Sequence, residues 1–515
     1  MDSYSKLTTY FQLYPELISK EVLSLSEDKV KRGLSEKHMQ ILSYASEDTS
    51  VDSVVDLCNF KNVSSLLKYA STAVSYLEST LAESYFFEKS CSERTGAKIR
   101  VLKRLTLLSA PKIFQSKKLA ASLLKVSLEE CRKYYLHELT PEVLKQIRSL
   151  RQTDEVDFKS NKIDEEFKLN QKILASQYNV IFSSYELHQK FSSITSGDKK
   201  EILQNLDIVI AEANSLGTHS PKLKFETLIL ERSKALLQNN ILDATLINIE
   251  IVSLVEKNSN LFSDNYLAGY SYLLSDCLKS CSQWELAITY INRAKSIFLE
   301  NSYNQVIAFN CELEIDFFSL QINKVHSKLD ICLNHDWYER YSHFASIWKF
   351  IKAASLNAEG KFQESNDILN TLDFVTKDKD YYNSQVMLLL LINYYELGKQ
   401  DLLEKQFTNL RRYVDRSMKD PERKELFKHI HVLLRPLLDP DKDPESIITE
   451  KAEEFNAVEH YYKEVWNPSV PDYFHIHQWF KLRGEKEHKF FIEYHDGSKY
   501  EAEIKAALEK FSLKF

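Results

Sequence analysis

The residues of this chain that could do chemistry are few and poorly spaced for it. Histidines come in close pairs, His429 with His431 and His475 with His477, and His460 is near the second pair in sequence. A metal held on a helix takes ligands three or four residues apart, because that spacing shares a face. A spacing of two suits a strand, and neither stretch reads as one; no third ligand can be assigned, so no metal is expected. Cys277 and Cys281 are four apart on an expected helix, where cysteine also serves as a small core residue, the preferred reading. The phosphate-cradling Gly-x-x-x-x-Gly-Lys, the dinucleotide-binding Gly-x-Gly-x-x-Gly and the zinc-protease His-Glu-x-x-His are all missing. Acid pairs such as Glu453-Glu454 fall on charged helices, where they read as solvated. No catalytic residue and no cofactor is expected.

The sharpest electrostatic feature is a run free of acids between Arg94 and Leu128. It carries Arg94, Lys98, Arg100, Lys103, Arg104, Lys112, Lys117, Lys118 and Lys125 on a protein of net charge −7. A local field of one sign could receive phosphate or an acidic peptide. The competing reading disperses these residues around two helices and pairs them with acids elsewhere, as charge runs usually are. A second cluster, Tyr473 to Phe480, is aromatic-rich and reads either as a docking surface or as a helix capping a repeat array.

The elements that must position these residues are helices. Nine glycines and ten prolines in 515 residues fall far below ordinary usage of about 7% and 5%. Turns and bulges lean on glycine for positive φ, so a chain this poor in it reads as all-α. Proline starts helices here: Thr140-Pro141-Glu142, Ser220-Pro221, Asp420-Pro421-Glu422 and Asp443-Pro444-Glu445 each set a capping side chain before proline at the first helical position. The exception to an all-helical reading is Phe490 to Tyr500, where Asp496-Gly497 between aromatic runs signals a small β-hairpin. A helix running back from Ala506 through Glu501 competes with it. The seven cysteines occur singly, residues 1–20 lack a leader's basic head and apolar core, and the longest apolar run, Val386 to Ile392, has seven residues. A membrane span needs about 20, so a cytoplasmic protein without membrane contact is expected.

Between Asn265 and Arg412 the chain repeats itself. Trp284-Glu285-Leu286-Ala287 opens a helix continuing through Tyr290, Ile291 and Ala294; 78 residues on, Phe362-Gln363-Glu364-Ser365 opens another with Ile368, Leu369 and Leu372. A weaker copy placed midway puts Asn323 at the aromatic position and His326 at the small one, followed by Leu329 and Leu333. A fourth follows at a spacing of 38, Gly398 answering Gly360 and Phe407 and Leu410 answering Leu369 and Leu372. An earlier hairpin, Phe225 to Val255, carries Ala244 at the small position. A helical pattern with such a period marks stacked helix hairpins. The expected organisation is an N-terminal helical region over 1–150, a charged connector over 151–199, the repeat array over 200–413 and a C-terminal cap over 414–515.

These repeats resemble the tetratricopeptide family, on Ser275, Trp284, Ala287 and Ala294 in one unit and Ala353, Gly360, Phe362 and Ser365 in the next complete one. The units are longer than that family's 34 residues and lack its terminal proline. His326, where a small residue should let helices approach, implies a splayed or repacked middle pair. The whole chain resembles uncharacterised bacterial repeat proteins with degenerate units. The resemblance implies a right-handed α-solenoid and a non-enzymatic scaffold binding a protein or peptide partner on its inner surface. Polar and aromatic residues interleaved with the core of the first helices, Tyr270, Asn310, Lys349 and Asn393, are the expected contacts. Nucleic-acid binding through the basic run is the alternative.

Overall fold

A computed structural model describes Tyr4 and residues 36–46, 49–84, 92–109, 117–150, 160–190, 196–372, 381–466, 472–484 and 498–513. Among them there are 24 α-helices and no strand. Two compact units form, one from residues 1–174 with 260–263, the other from 175–259 with 264–515.

The first unit holds α1 (Glu36–Ser46), α2 (Val51–Leu57), α3 (Val63–Ser84), α4 (Glu93–Leu108), α5 (Lys117–Lys133), α6 (Thr140–Leu150) and the first half of α7 (Ser160–Lys190). Ile41, Leu42, Val54, Leu66, Ala70 and Ala73 form one buried cluster. On α6 the buried Val143, Leu144, Ile147 and Leu150 recur at helical spacing and turn one stripe inward. Asn260–Ser263 belong with this unit, where the Arg94 amide donates to the Asn260 carbonyl (3.0 Å).

The second unit continues with α8 (Ser196–Gly217), α9 (Pro221–Leu237), α10 (Ile241–Lys257), α11 (Asp264–Ser280), α12 (Trp284–Ile297), α13 (Tyr303–Phe318) and α14 (Ile322–Asn334). A single-turn α15 (Trp337–Arg340) precedes α16 (Ser342–Ala358), α17 (Phe362–Leu369), α18 (Tyr382–Glu396), α19 (Gln400–Arg416) and α20 (Pro421–Leu434). Three of the four proline starts behave as expected: the side chains of Ser220, Asp420 and Asp443 each accept backbone amides of the following turn. Thr140 does not cap: it lies within α6, and its hydroxyl donates back to the Leu136 carbonyl (2.9 Å).

The helix pairs of this unit are closed by one repeated device. Asn239, Ser282, Leu320, Gly360 and Gly398 all take a left-handed conformation, with φ of 57°, 57°, 60°, 77° and 63°. In each case the next amide reaches back five residues: Asn240 to Ala235, Gln283 to Leu278, Gln321 to Asp316, Lys361 to Leu356 and Lys399 to Tyr394, at 2.8–2.9 Å. This is the Schellman closure, which satisfies carbonyls a helix end would leave open. Only two of the five turns use glycine, so the array forms on few glycines.

The turns also correct the register of the middle copy. An even spacing of 39 put Asn323 and His326 at the aromatic and small positions. Counting from Leu320 as from Ser282 and Gly360, these positions belong to Ile322 and Val325, and Val325 is fully buried. His326 lies off the contact and meets Glu359 (2.8 Å). Small residues do permit close approach where expected. Ser275 donates to the Ala287 carbonyl and Ser365 to the Ala353 carbonyl, both at 2.7 Å, tying the two helices of a pair.

The apolar run Val386–Ile392 lies in α18, buried all round from Tyr382 to Tyr394; an apolar helix of this kind is a central one. Among the described residues no helix is long and apolar enough to cross a membrane. After α20 come α21 (Pro444–Glu450), α22 (Ala452–His460), α23 (Ile476–Gly484) and α24 (Ser498–Phe511). Of the expected hairpin, Phe490 to Gly497 lies outside the described residues; α24 takes in Glu501 to Ala506, as the competing helical reading had it, and reaches back past Tyr500 and Lys499 to Ser498. That helix buries Ile504 and Leu508 against Ile249, Val252 and Leu274, and Ser253 donates to the Phe511 carbonyl (3.1 Å).

Candidate functional site

Two of the four expected contact residues are packing residues. Asn310 is buried, accepts from Trp348 Nε1 (3.1 Å) and donates to Glu314 (3.0 Å). Asn393 accepts from Asn357 Nδ2 (2.7 Å) and donates to Ser365 Oγ (2.9 Å), with no exposed surface. A buried amide must find such partners, and here neighbouring helices supply them. Lys349 is half-buried, with its ammonium 5.4 Å from the centre of the Tyr338 ring. Nearby charges are consumed in the same way. Lys279 is buried between Asp276 (2.8 Å) and Glu314 (2.6 Å); burial opposes its charge, but the two carboxylates outweigh burial and raise its pKa.

The face made by α13, α16, α18 and α20 is covered by the chain's own segment 472–484. Tyr473 donates to Glu314 (2.9 Å), stacks on Phe318 (5.6 Å) and meets Phe317 and Phe350 edge-on. Trp479 donates to Glu396 (2.7 Å), and the Arg483 guanidinium meets the same carboxylate. Asp472 pairs with Arg423 at full burial. The cluster Tyr473 to Phe480 is therefore a core element laid across four successive first helices. It is neither a docking surface nor an end cap.

A cleft of about 390 Å³ opens on this layer where α11 meets α13. Tyr266, Gly269, Tyr270 and Leu273 come from α11, Ile307 from α13, and Phe298 from the connection between α12 and α13. Their spacing of three and four puts the α11 residues on one face. Gly269 keeps the floor low: a Cβ there would meet no atom within 4 Å. Phe225 on α9 braces the wall edge-on to Tyr266 (5.7 Å) and Tyr270 (5.1 Å). Tyr266 remains half-exposed (49%). Burial pushes the Tyr270 phenol up, with Arg232 opposing and Glu226 reinforcing the shift. Asn265 and Asn304 put amides at the rim. The lining named here is aromatic, aliphatic and amide; it offers apolar area and hydrogen bonds, with no carboxylate, imidazole or thiol. Tyr270 is the one expected contact that lines it.

The basic run does not form one free surface. Glu138 takes Arg94 (2.9 Å) and Lys98 (3.3 Å), and Glu130 takes Arg100 (2.7 Å) and Arg104 (2.6 Å). Both glutamates stand just past the acid-free stretch and return to it as α5 packs on α4. Pairings across 26 to 44 residues leave no local trace. Lys103 and Lys125 are exposed, Lys117 is half-buried, Lys112 is outside the described residues and Lys118 is described only in its backbone.

His475 and His477 are buried and stacked on Tyr462, at 4.2 Å and 5.1 Å between ring centres. His431 stacks on Phe407 (4.1 Å), and His429 faces Glu425 (3.9 Å). Cys277 accepts from Asn248 (3.1 Å) and Cys281 lies against Thr245 (3.3 Å). Burial pushes the two thiols up to about 12 and about 11, which makes them inert packing residues. Among the described residues no group of three or more His, Cys, Asp or Glu is placed to hold a metal.

No protein-family model matches the chain, nor does any curated protein or solved structure.

Proposed function

We propose that this protein is a non-enzymatic interaction scaffold, a right-handed α-solenoid of tetratricopeptide-like hairpins that holds a protein segment in the cleft between α11 and α13. The observation supporting this reading is the contrast along one layer of helices. Segment 472–484 covers it from α13 to α20, while the α11–α13 cleft stays open and aromatic. The partner that fits is a segment presenting one large apolar side chain to Tyr266, Tyr270 and Leu273, with its backbone bonded by Asn265 and Asn304. Aromatic walls give such contacts area at low entropic cost.

The test uses Gly269. Gly269→Trp fills the cleft from its floor, and Gly269→Ala leaves most of it open; both replace a helical glycine, so the fold is retained. A partner captured from the native cell by the wild type and by Gly269→Ala, but lost with Gly269→Trp, is the expected result. Equal capture by all three, or none by any, refutes the reading.

A further inference from the structure

The second half of α7 presents an apolar stripe to solvent on the side away from the core. Ile173, Val180 and Leu187, seven residues apart, are buried. On the opposite side Tyr178, Ile181, Phe182 and Tyr185 stand 52%, 40%, 64% and 61% exposed. Their spacing of i, i+3, i+4 and i+7 makes a continuous seam, as on a helix that packs against another helix. A helix with apolar residues on both sides is normally buried on both, and contiguous exposed apolar area marks contact sites.

We infer that this stripe is the contact through which two copies of this chain pair, antiparallel, about a twofold axis between Ile181 and Phe182. Two properties of the stripe favour a second copy. The order Tyr, Ile, Phe, Tyr reads almost the same in reverse, so a twofold sets Tyr178 beside Tyr185 of the other copy and Ile181 beside Phe182. A closed, self-complementary contact of this kind needs such a pattern. Residues 173–185 also carry no charge, although the helix is charged toward both ends, so identical faces meet without like-charge repulsion. Three aromatic side chains of about 150–250 Å² each, half to two-thirds exposed, with Ile181 and the exposed Ala175 and Asn179, give about 1,000 Å² over two copies. That is the lower bound for a specific pair, so the dimer is weak, with Kd on the order of 10 µM. This inference does not depend on the cleft between α11 and α13.

Sedimentation of the full chain across that concentration range tests it. The wild type is expected to pass from monomer to dimer, and Phe182→Asp to remain monomeric with unchanged helicity and thermal midpoint, since the side chain is exposed. Mixing Tyr178→Cys with Tyr185→Cys under mild oxidation is expected to give a crosslinked heterodimer, while neither variant crosslinks to itself. The six described native cysteines are buried, and Cys91, outside the described residues, is replaced by serine in both variants. A wild type monomeric throughout overturns the proposal, whether another part of the chain or a different protein covers the stripe. A dimer that survives Phe182→Asp overturns it too, and self-crosslinking of Tyr178→Cys refutes the antiparallel arrangement.

Discussion

Asp472 receives both terminal nitrogens of the Arg423 guanidinium, 49 residues earlier in the chain, in a pair with side chains 1% and 0% exposed. The guanidinium also lies 5.1–6.0 Å from the ring centres of Tyr381, Phe427 and Tyr461. A planar, bidentate group inside an aromatic surround is a role lysine cannot fill. The pair fastens segment 472–484 onto α20, and its removal should be felt asymmetrically. Asp472→Ala leaves a buried cation uncompensated and should destabilise by about 3–5 kcal/mol, whereas Arg423→Met with Asp472→Leu should lose far less. Urea denaturation of Arg423→Met, Asp472→Leu and the double variant measures the coupling; additive losses would mean the pair does not act as a unit.

Leu320 performs a glycine's task. A left-handed residue with a Cβ is strained by about 1–2 kcal/mol, and Leu320 is 36% exposed, so the buried part of its side chain offsets some of the strain that trimming it would relieve. Leu320→Gly should raise stability by about 0.5–1 kcal/mol, read as a higher thermal midpoint. Gly398→Ala, at φ 63° with open space around the added methyl, should lower it by a similar amount. A destabilised Leu320→Gly would show that its side chain contributes more to packing than its conformation costs.

Acid should loosen the attachment of α23 to α22. Burial opposes ionisation of Glu459, but Lys463 and Lys481 outweigh it and hold the carboxyl at about 2, against an ordinary 4.5. A depressed folded value means this contribution is complete above the unfolded pKa and disappears as pH falls through the folded one. The thermal midpoint should therefore fall between about pH 4.5 and 2, and Lys481→Met should flatten that part of the profile. An unchanged profile would assign the acid sensitivity to other groups.

The pairing of Glu130 and Glu138 predicts little affinity for nucleic acid. Mobility-shift assays at about 50 mM salt, where phosphate contacts are strongest, should show no retarded complex. A complex whose affinity falls with salt by about 0.9 logarithmic units per phosphate contact, and whose slope flattens in Lys103→Gln with Lys125→Gln, would restore the basic run as a binding surface.

Local interactions decide much of this protein, and those are what a sequence records. Glycine scarcity, proline starts and stripes such as Val143, Leu144, Ile147 and Leu150 read as helices because period and capping act over a few residues. The repeat was legible for the same reason, through Ala287 answering Ser365 and Gly360 answering Gly398. Its middle copy was misread by one residue, because the landmark is a backbone conformation that Leu320 adopts without glycine to mark it. Only the tertiary structure decided what the polar and aromatic residues do. Asn310 and Asn393 have the composition of a contact surface and became its interior, since the hydrogen bonds that satisfy them come from helices 28 to 38 residues away. Arg94, Lys98, Arg100 and Arg104 of the basic run pair with glutamates beyond its end, and the aromatic segment 472–484, expected as a docking surface or a capping helix, lies across α13 to α20. Each outcome depends on which distant side chain arrives, and the energy of that meeting resides in the pair rather than in either residue's local pattern.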